Sequence, residues 1–598
     1  MVAIPAAVLI ALVFWSFGDR VLSVARLWAN GAVERFALSV TMSLGAVTLL
    51  VFLLAVLKGV SFASCAGLVL AMAALSWAQL RTNTALLVRG IRDIRWRSIL
   101  WPASDRQSWA VWLSGVIVLL GLVQALAPVT GLDTGRMHFA AVKIMLREHG
   151  LSADPSAWFH RTGGFYMVHL FGMALGGEAL ARLLAFGVSP LALLLAAATS
   201  ERLRSGTGRT AVGVIALTPI FTGFTGYQYL DLPVLMYLLA ALLSFQRYRT
   251  EGGLGWAMIS AAMAGFALGI KVSAFPVLVF LVPLVMTTLR REGPGAWKGI
   301  AGGVVSFGIP AGFWPIWNWA TIGTFVYGYL DHNRDDALPT PDLSNWVPQV
   351  FLALGSIVTT SEYWIDSVGP LIIACLVGVT LFRAPSESRL PCFLALGAVA
   401  FYIAMLILKM RAYLWIDSHA RYLGPALLAY GTLASAPFLA WSQRSRWMGG
   451  VLALGLLLPA VPLIAIKSVK AAVAAPAALG LESRSRYLAK KIETYEACEI
   501  LNGLPEREVK VLFIAHRPYY LDRDMVPQSF WDGVRNGSDL ARRAREWGVT
   551  HVLVEPEASI LIWLSDIDSV FGKPPFREIR RWPWKQRDWV RLYAVERP

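Results

Sequence analysis

The chain alternates long apolar runs with short polar breaks. A helix needs about 20 mostly apolar residues to cross a bilayer, because an unpaired peptide group in hydrocarbon costs several kcal/mol and only a helix pairs its groups locally. Such runs fall at 3–17, 36–57, 61–80, 109–129, 179–198, 211–225, 228–246, 254–270, 272–289, 296–318, 366–382, 391–409, 421–441 and 446–466. They predict a polytopic α-helical membrane protein of about twelve to fourteen transmembrane helices. The first run has neither a basic segment ahead of it nor a small-residue cleavage site, so it is expected to be a retained helix rather than a signal peptide.

After Lys467 the pattern changes to mixed and charged. "VKVLFIA" at 509–515, "SDLARRAREWGV" at 538–549 and "HVLVEP" at 551–556 read as strand, helix and strand, with Ser538 as the helix cap and Gly548 as its stop. That order predicts a small C-terminal α/β soluble domain. The expected organisation is N-terminal transmembrane helices over 1–108, a transmembrane core over 109–467 with an outer loop at 130–165, and the α/β domain over 468–598.

Lys and Arg positions give the direction of each crossing, since basic loops stay on the cytoplasmic side. The segments 81–108, with Arg81, Arg89, Arg92, Arg95, Arg97 and Arg106, 201–209, 247–249, 290–291 and 443–446 are basic and fall on one face if each run crosses once. The opposite, extracytoplasmic face then receives 130–165, the tip near Tyr227 to Asp231, the stretches 319–365 and 410–420, and everything after 467. A multi-pass protein of the cell inner (plasma) membrane follows as the expectation.

Composition agrees: of 598 residues, 56% are hydrophobic and 15% charged, against about 25% charged in an average soluble domain. The net charge of +16 has two sources open to it, inward-facing arginines and a site for an anionic lipid head group. No basic cleft interleaved with aromatics points to nucleic acid, so no nucleic-acid partner is expected. Cys65, Cys375, Cys392 and Cys498 are scattered without a CxxC pair, which argues against a disulfide framework or a thiolate metal site.

Ionisable groups are rare here, so their concentration in "GLDTGRMHFAAVKIMLREHG" at 131–150 asks for a reason. Asp133, Arg136, His138, Lys143, Arg147, Glu148 and His149 share an amphipathic helix whose apolar stripe is Phe139, Val142, Met145 and Leu146. Such a helix is expected to lie in the membrane interface. Asp133 is either its capping residue or a carboxylate aimed into a cavity, and Asp231 at the start of the run at 228–246 is either a cap or a group that binds acceptor or orients the base.

The order of several motifs resembles the C-type, polyprenyl-phosphate-sugar-dependent membrane glycosyltransferases, in particular the protein O-mannosyltransferase and lipid A aminoarabinose-transferase group. Asp133 to Gly150 followed by "WFHRTGGFYMVHLFGMALGGEALARLL" at 158–184 is similar to the first outer loop of that family. "TGYQYLDLPVLMYLLAALLSF" at 225–245 resembles its second acidic site, here Asp231, and "ALGIKVSAFPVLVFLVPLV" at 267–285 its lysine helix, here Lys271. "PIWNWATIGTFVYGY" at 315–329 resembles its Trp-Asn loop, here Trp317 and Asn318, and "SHARYLGPALLAY" at 418–430 its Arg-Tyr helix, here Arg421 and Tyr422. Thr134 and Met137 depart from the pattern, standing where the family often has a second acid and a tyrosine.

The resemblance covers about residues 109 to 441 and implies an inverting glycosyltransferase. Sugar would move from a polyprenyl-phosphate donor to a hydroxyl of a lipid, glycan or protein. Asp133 would be the general base with Asp231 assisting, and Arg421, Lys271 and Arg411 would hold the donor phosphate. His138, Arg136, Tyr422, Trp317 and Asn318 would contact substrate. Neither a metal nor a cofactor is expected, since hard cations want more oxygen ligands than are visible. Each cation also reads as an interfacial anchor.

Two other classes remain open. A transporter or flippase of an anionic lipid or solute predicts an internal repeat with broken helices in matched positions. A non-catalytic envelope-assembly scaffold predicts that Asp133 and Asp231 tolerate replacement. In the tail, "HRPYYLDRD" at 516–524 follows a strand end and reads as a salt-bridged surface turn or a glycan-contacting loop, and "RRWPWKQRDW" at 580–589 as a membrane-surface segment.

Overall fold

The computed structural model describes residues 3–27, 31–93, 106–152, 163–323, 325, 393–394, 396–398, 400, 419–432, 435, 439, 445–505, 509–515, 517–526, 528–531, 534, 536–555, 570–571, 573–584 and 588–596. Arg411, the expected helix at 366–382, most of that at 391–409 and loop residues 153–162 lie outside them. The side chains of Arg421 and Tyr422 do too, although their backbone belongs to a helix, His419–Thr432.

The chain is mostly helical and divides into two compact units. One joins Met1–Leu126 to Arg161–Ala475, and the other joins Ala127–His160 to Pro476–Pro598. Among the described residues six helices are long and apolar enough to cross a membrane, seven if a bent pair counts as one. This is a multi-pass membrane protein.

In the first unit the helices are α1 (Ala3–Val24), α2 (Ala32–Val56), α3 (Phe62–Leu75), α4 (Trp77–Arg92) and α5 (Arg106–Leu126). There follow α6 (Tyr166–Leu203), α7 (Gly208–Ala216), α8 (Pro219–Phe224), α9 (Asp231–Glu251), α10 (Leu254–Ile270), α11 (Leu278–Glu292), α12 (Ala296–Ile322), α13 (His419–Thr432) and α14 (Arg446–Ala478). Several expected single crossings are broken. The run at 61–80 is α3 and α4, bent by 86° at Ser76. The run at 211–225 is α7 and α8, restarted by Pro219 at its first turn.

The longest helix, α6, is also interrupted: Gly176 and Gly177 have non-helical backbone angles, Gly177 with φ of 69°. A side-chain carbon added at Gly172 would lie 2.6 Å from Ala181 Cα, so the first arm folds back on the second. Only glycines permit that reversal and that approach. Small residues also set the helix crossings, as in other membrane bundles, where burial against lipid tails supplies little drive. A Cβ at Gly18 would be 1.9 Å from Ser39 O, and one at Gly269 would be 2.1 Å from Pro310 O.

Charges close one end of this bundle. Arg247, fully buried near the end of α9, pairs with Glu34 of α2 and, at 2.8 Å, with Glu251. Arg202 of α6 pairs with the same two acids. Paired, these charges avoid the several kcal/mol that each lone buried ion costs.

The tail of the second unit holds α15 (Arg484–Lys491), α16 (Tyr495–Gly503) and α17 (Gly537–Glu546), with strands β1 (Lys510–Ile514), β2 (Asp524–Met525), β3 (His551–Val554), β4 (Phe576–Trp584) and β5 (Asp588–Val595). The sheet order is β2-β1-β3-β5-β4, with β1 parallel to β2 and β3, and β5 antiparallel to both β3 and β4. The expected strand-helix-strand is therefore present, extended by a β-hairpin. The cap of α17 differs: Asn536 accepts the Asp539 N–H at 2.9 Å, and Ser538 lies inside the first turn. Leu540 and Ala544 of α17 pack with Leu512, Ile514, Val552 and Phe576 of the sheet.

Cys498 of α16 is buried, and that burial pushes its thiol up to about 12. A raised thiol pKa stabilises the fold below the unfolded thiol's range and loses that contribution as pH rises towards 12. Iodoacetamide at pH 8, read by mass spectrometry, is expected to leave Cys498 unmodified in the folded protein and to label it fully in denaturant.

Candidate active site

The end of the first unit away from the Glu34–Arg247 cluster carries polar groups of a different kind. The loop before α9 turns at Gly226, with φ of 90°, where a Cβ would lie 2.4 Å from Gly121 O of α5. Tyr227 and Tyr229 then stack at 5.6 Å, and Asp231 opens α9. Its side chain is 1% exposed and accepts a 2.8 Å ion-pair hydrogen bond from Lys271 Nζ.

Lys271 stands where α10 stops. Seventeen residues of α10 reach about 25 Å at 1.5 Å per residue, shorter than a ~30 Å hydrocarbon core. Lys271 is extended, and a 3₁₀ turn over Val272–Val277, with Pro276 inside, leads into α11. The Gly164 N–H donates to Gly269 O at 3.1 Å and ties the entry of the α6 arm to this break. Asp231 and Lys271, read separately in the sequence as an acid and a phosphate-binding cation, thus form one ion pair, its carboxylate buried and its ammonium half-buried. Trp317 and Asn318 occupy the last turns of α12; Asn318 is buried, and Trp317 meets Trp314 at 5.5 Å.

A second polar cluster at this end escaped the sequence reading. Lys467 of α14 is buried and donates to Gln124 Oε1 at 3.0 Å and to the Thr225 carbonyl. Lys467 and Lys470 both lie over the Tyr227 ring, at 6.0 and 5.9 Å. The buried Arg182 of α6 donates to the Gln124 carbonyl at 2.6 Å and pairs with Glu178 at 3.8 Å. The available signal was two lysines three residues apart just past the apolar run at 446–466, a spacing that puts both on one helix face.

The second unit contains Asp133, Arg136 and His138. Thr134–His138 is a π-helical turn running straight into a helix at Phe139–Arg147; such turns carry one extra residue and re-aim side chains. Asp133 precedes it, half-buried, with helical backbone angles and no side-chain cap hydrogen bond to the turn. His138 and Thr134 are buried and Arg136 half-buried.

The expected stripe is present, since Phe139, Val142 and Met145 are buried. Its partner differs from the expectation. Phe139 packs edge-on to Tyr519 of the tail at 5.8 Å, and Lys143 Nζ donates to the Tyr519 carbonyl at 2.7 Å. Protein rather than the membrane interface receives this part of the helix. Among the described residues no group of three or more His, Cys, Asp or Glu is placed to hold a metal ion.

No protein-family model matches the sequence, and no curated protein matches it. Solved structures do show likeness. An oligosaccharyltransferase from Archaeoglobus fulgidus, in complex with zinc and sulfate, is similar at 14% identity with a TM-score of 0.45, over 80% of this chain and 73% of that one. The same enzyme tethered to an acceptor peptide is similar at 13% identity with a TM-score of 0.40, over 82% and 74%. A mycobacterial arabinofuranosyltransferase, AftD, is similar at 14% identity with a TM-score of 0.39, over 83% of this chain and 40% of that one. At these identities and scores the likeness assigns no function.

Proposed function

We propose that the protein is an inverting membrane glycosyltransferase that moves a sugar from a polyprenyl-phosphate donor to a hydroxyl of a lipid, glycan or protein. The observation that carries this reading is the ion pair of Lys271 with the buried Asp231 carboxylate. A buried carboxylate paired with a lysine inside an apolar bundle is a functional-site hypothesis by default.

In the proposed reaction the acceptor oxygen bonds to the anomeric carbon as the bond from that carbon to the phosphate oxygen breaks. Asp133 takes the hydroxyl proton, and the electron pair leaves with the polyprenyl phosphate. Attack opposite the phosphate inverts the anomeric carbon. The developing phosphate charge is met by cations in a low-dielectric pocket, where they act more strongly than in water. Arg421 and Arg411 remain candidates for that role; Lys271 is the candidate whose charge Asp231 partly offsets. Lys467 joins them because its described partners, Gln124, Thr225 and Tyr227, are all uncharged. His138, Arg136, Tyr422, Trp317 and Asn318 are proposed substrate contacts. Neither metal nor cofactor enters the scheme. The reaction would run on the extracytoplasmic face of the inner membrane, at a transmembrane core over 109–467, and the α/β domain over 468–598 is proposed to be extracytoplasmic.

The test is a transfer assay with the purified protein in proteoliposomes, labelled polyprenyl-phosphate sugars and extracted envelope lipids and glycans. A labelled product of inverted anomeric configuration is expected. Label that crosses the bilayer without being transferred would favour a flippase, and neither event would favour a scaffold.

A further inference from the structure

The stretch Arg517–Asp524 is gripped from two sides within the second unit. From the tail, Asn502 Nδ2 donates to the Tyr520 carbonyl at 2.9 Å and the Asp522 N–H donates to Asn502 Oδ1 at 2.7 Å. Arg523 donates to the carbonyls of Leu501 at 3.0 Å and Asn502 at 2.8 Å. From the loop, Lys143 Nζ donates to the carbonyls of Tyr519 at 2.7 Å and Leu521 at 3.2 Å and pairs with the Asp522 carboxylate. Arg147 pairs with Asp524 at 3.3 Å. The Tyr520 hydroxyl, buried, donates to the Val129 carbonyl at 2.6 Å. Gly135 lies on the stem of Arg517, where an added Cβ would be 3.6 Å away.

These contacts bracket Asp133. Val129 lies four residues before it, Gly135 two after and Lys143 ten after, the last about 15 Å along a helix. All three rest on the same strap, which the tail holds through Leu501 and Asn502 of α16 among others. A surface turn needs no such double attachment, and a glycan-contacting loop would keep its polar groups for sugar rather than spend them on the loop helix.

We infer that the C-terminal domain positions Asp133, with Lys143 as the residue that latches the loop helix to the strap at 517–524. Lys143 is a positioning residue: it acts through the helix and touches no reacting atom. The inference rests on Asp133 being the base proposed above. Positioning matters for a base because a displacement of about 1 Å can cost on the order of a hundredfold in rate.

The test compares the full-length wild type with Lys143→Met, Lys143→Arg and Tyr520→Phe, the last removing only a hydroxyl. Two measurements are made: kcat and KM for donor and acceptor, and hydrogen exchange of the amides over 134–147. Lys143→Met is expected to lower kcat about tenfold with both KM values within about twofold, and to speed exchange over 134–147 about tenfold. Lys143→Arg should restore both, and Tyr520→Phe should shift both in the same direction by less. Unchanged exchange in Lys143→Met and Tyr520→Phe overturns the latch. Faster exchange with normal kcat, or a raised acceptor KM at normal kcat, overturns the positioning role. If the wild type transfers no sugar while exchange responds as expected, the latch stands and the base assignment falls.

Discussion

Asp133→Asn is expected to lower kcat for sugar transfer by about 10²- to 10⁴-fold while the protein stays folded and its KM for the donor changes little. The substitution keeps the shape of the side chain and removes its ability to accept a proton. Asp133 is half-buried and makes no cap hydrogen bond to the helix it precedes, so the helix loses little by the exchange. A helix-capping aspartate would behave differently: asparagine caps nearly as well, so a capping role predicts near-normal transfer. Single-turnover transfer on the two proteins at equal folded concentration, judged by size exclusion in detergent, separates these outcomes.

The second large effect concerns the Asp231–Lys271 pair. Lys271→Met leaves the Asp231 carboxylate, 1% exposed, without its ammonium partner, and breaking a buried pair in this way costs about 3–5 kcal/mol. The variant should lose its folded fraction at a lower temperature than the wild type in a detergent heating series. Asp231→Asn with Lys271→Met removes both charges and should recover most of that stability, because the remaining groups are neutral and of similar size. Transfer is the deciding readout. If the pair serves the reaction, the stable double variant stays at least about a hundredfold below wild type; if it only holds α9 to α10, activity returns together with stability.

Much of the bundle was legible because lipid imposes length and apolarity on each crossing, and the runs at 36–57, 254–270 and 296–318 end close to α2, α10 and α12. What periodicity does not carry is where a helix breaks. The reversal at Gly176–Gly177 and the 86° bend at Ser76 depend on single backbone angles inside sequences that stay apolar throughout. The strands of the tail were readable as short apolar runs on either side of an amphipathic helix, whereas the hairpin β4–β5 was hidden by its charged and aromatic exposed positions.

Site residues followed the same division. Asp231 and Lys271 stood out as rare charges, yet 40 positions separate them and no local pattern joins them. An amphipathic stripe such as Phe139, Val142 and Met145 reports that one face is dry and says nothing of whether lipid or protein dries it. For that reason the loop helix read as a membrane-surface element, while the stretch at 516–524 read as a surface turn or a glycan-contacting loop; the structure makes the loop helix and residues 517–524 partners.

The second unit has a consequence for how the molecule is made. Its two pieces, Ala127–His160 and Pro476–Pro598, are separated by the whole of the later membrane bundle. At about 5–20 residues per second, the roughly 300 residues between them take on the order of half a minute to synthesise. During that interval the loop with Asp133 has emerged and has nothing to dock on. A nascent chain can therefore insert its helices in order and still be without a working loop until translation has passed Asp524, so a ribosome that stalls within the tail leaves a protein with its bundle built and its proposed base unplaced.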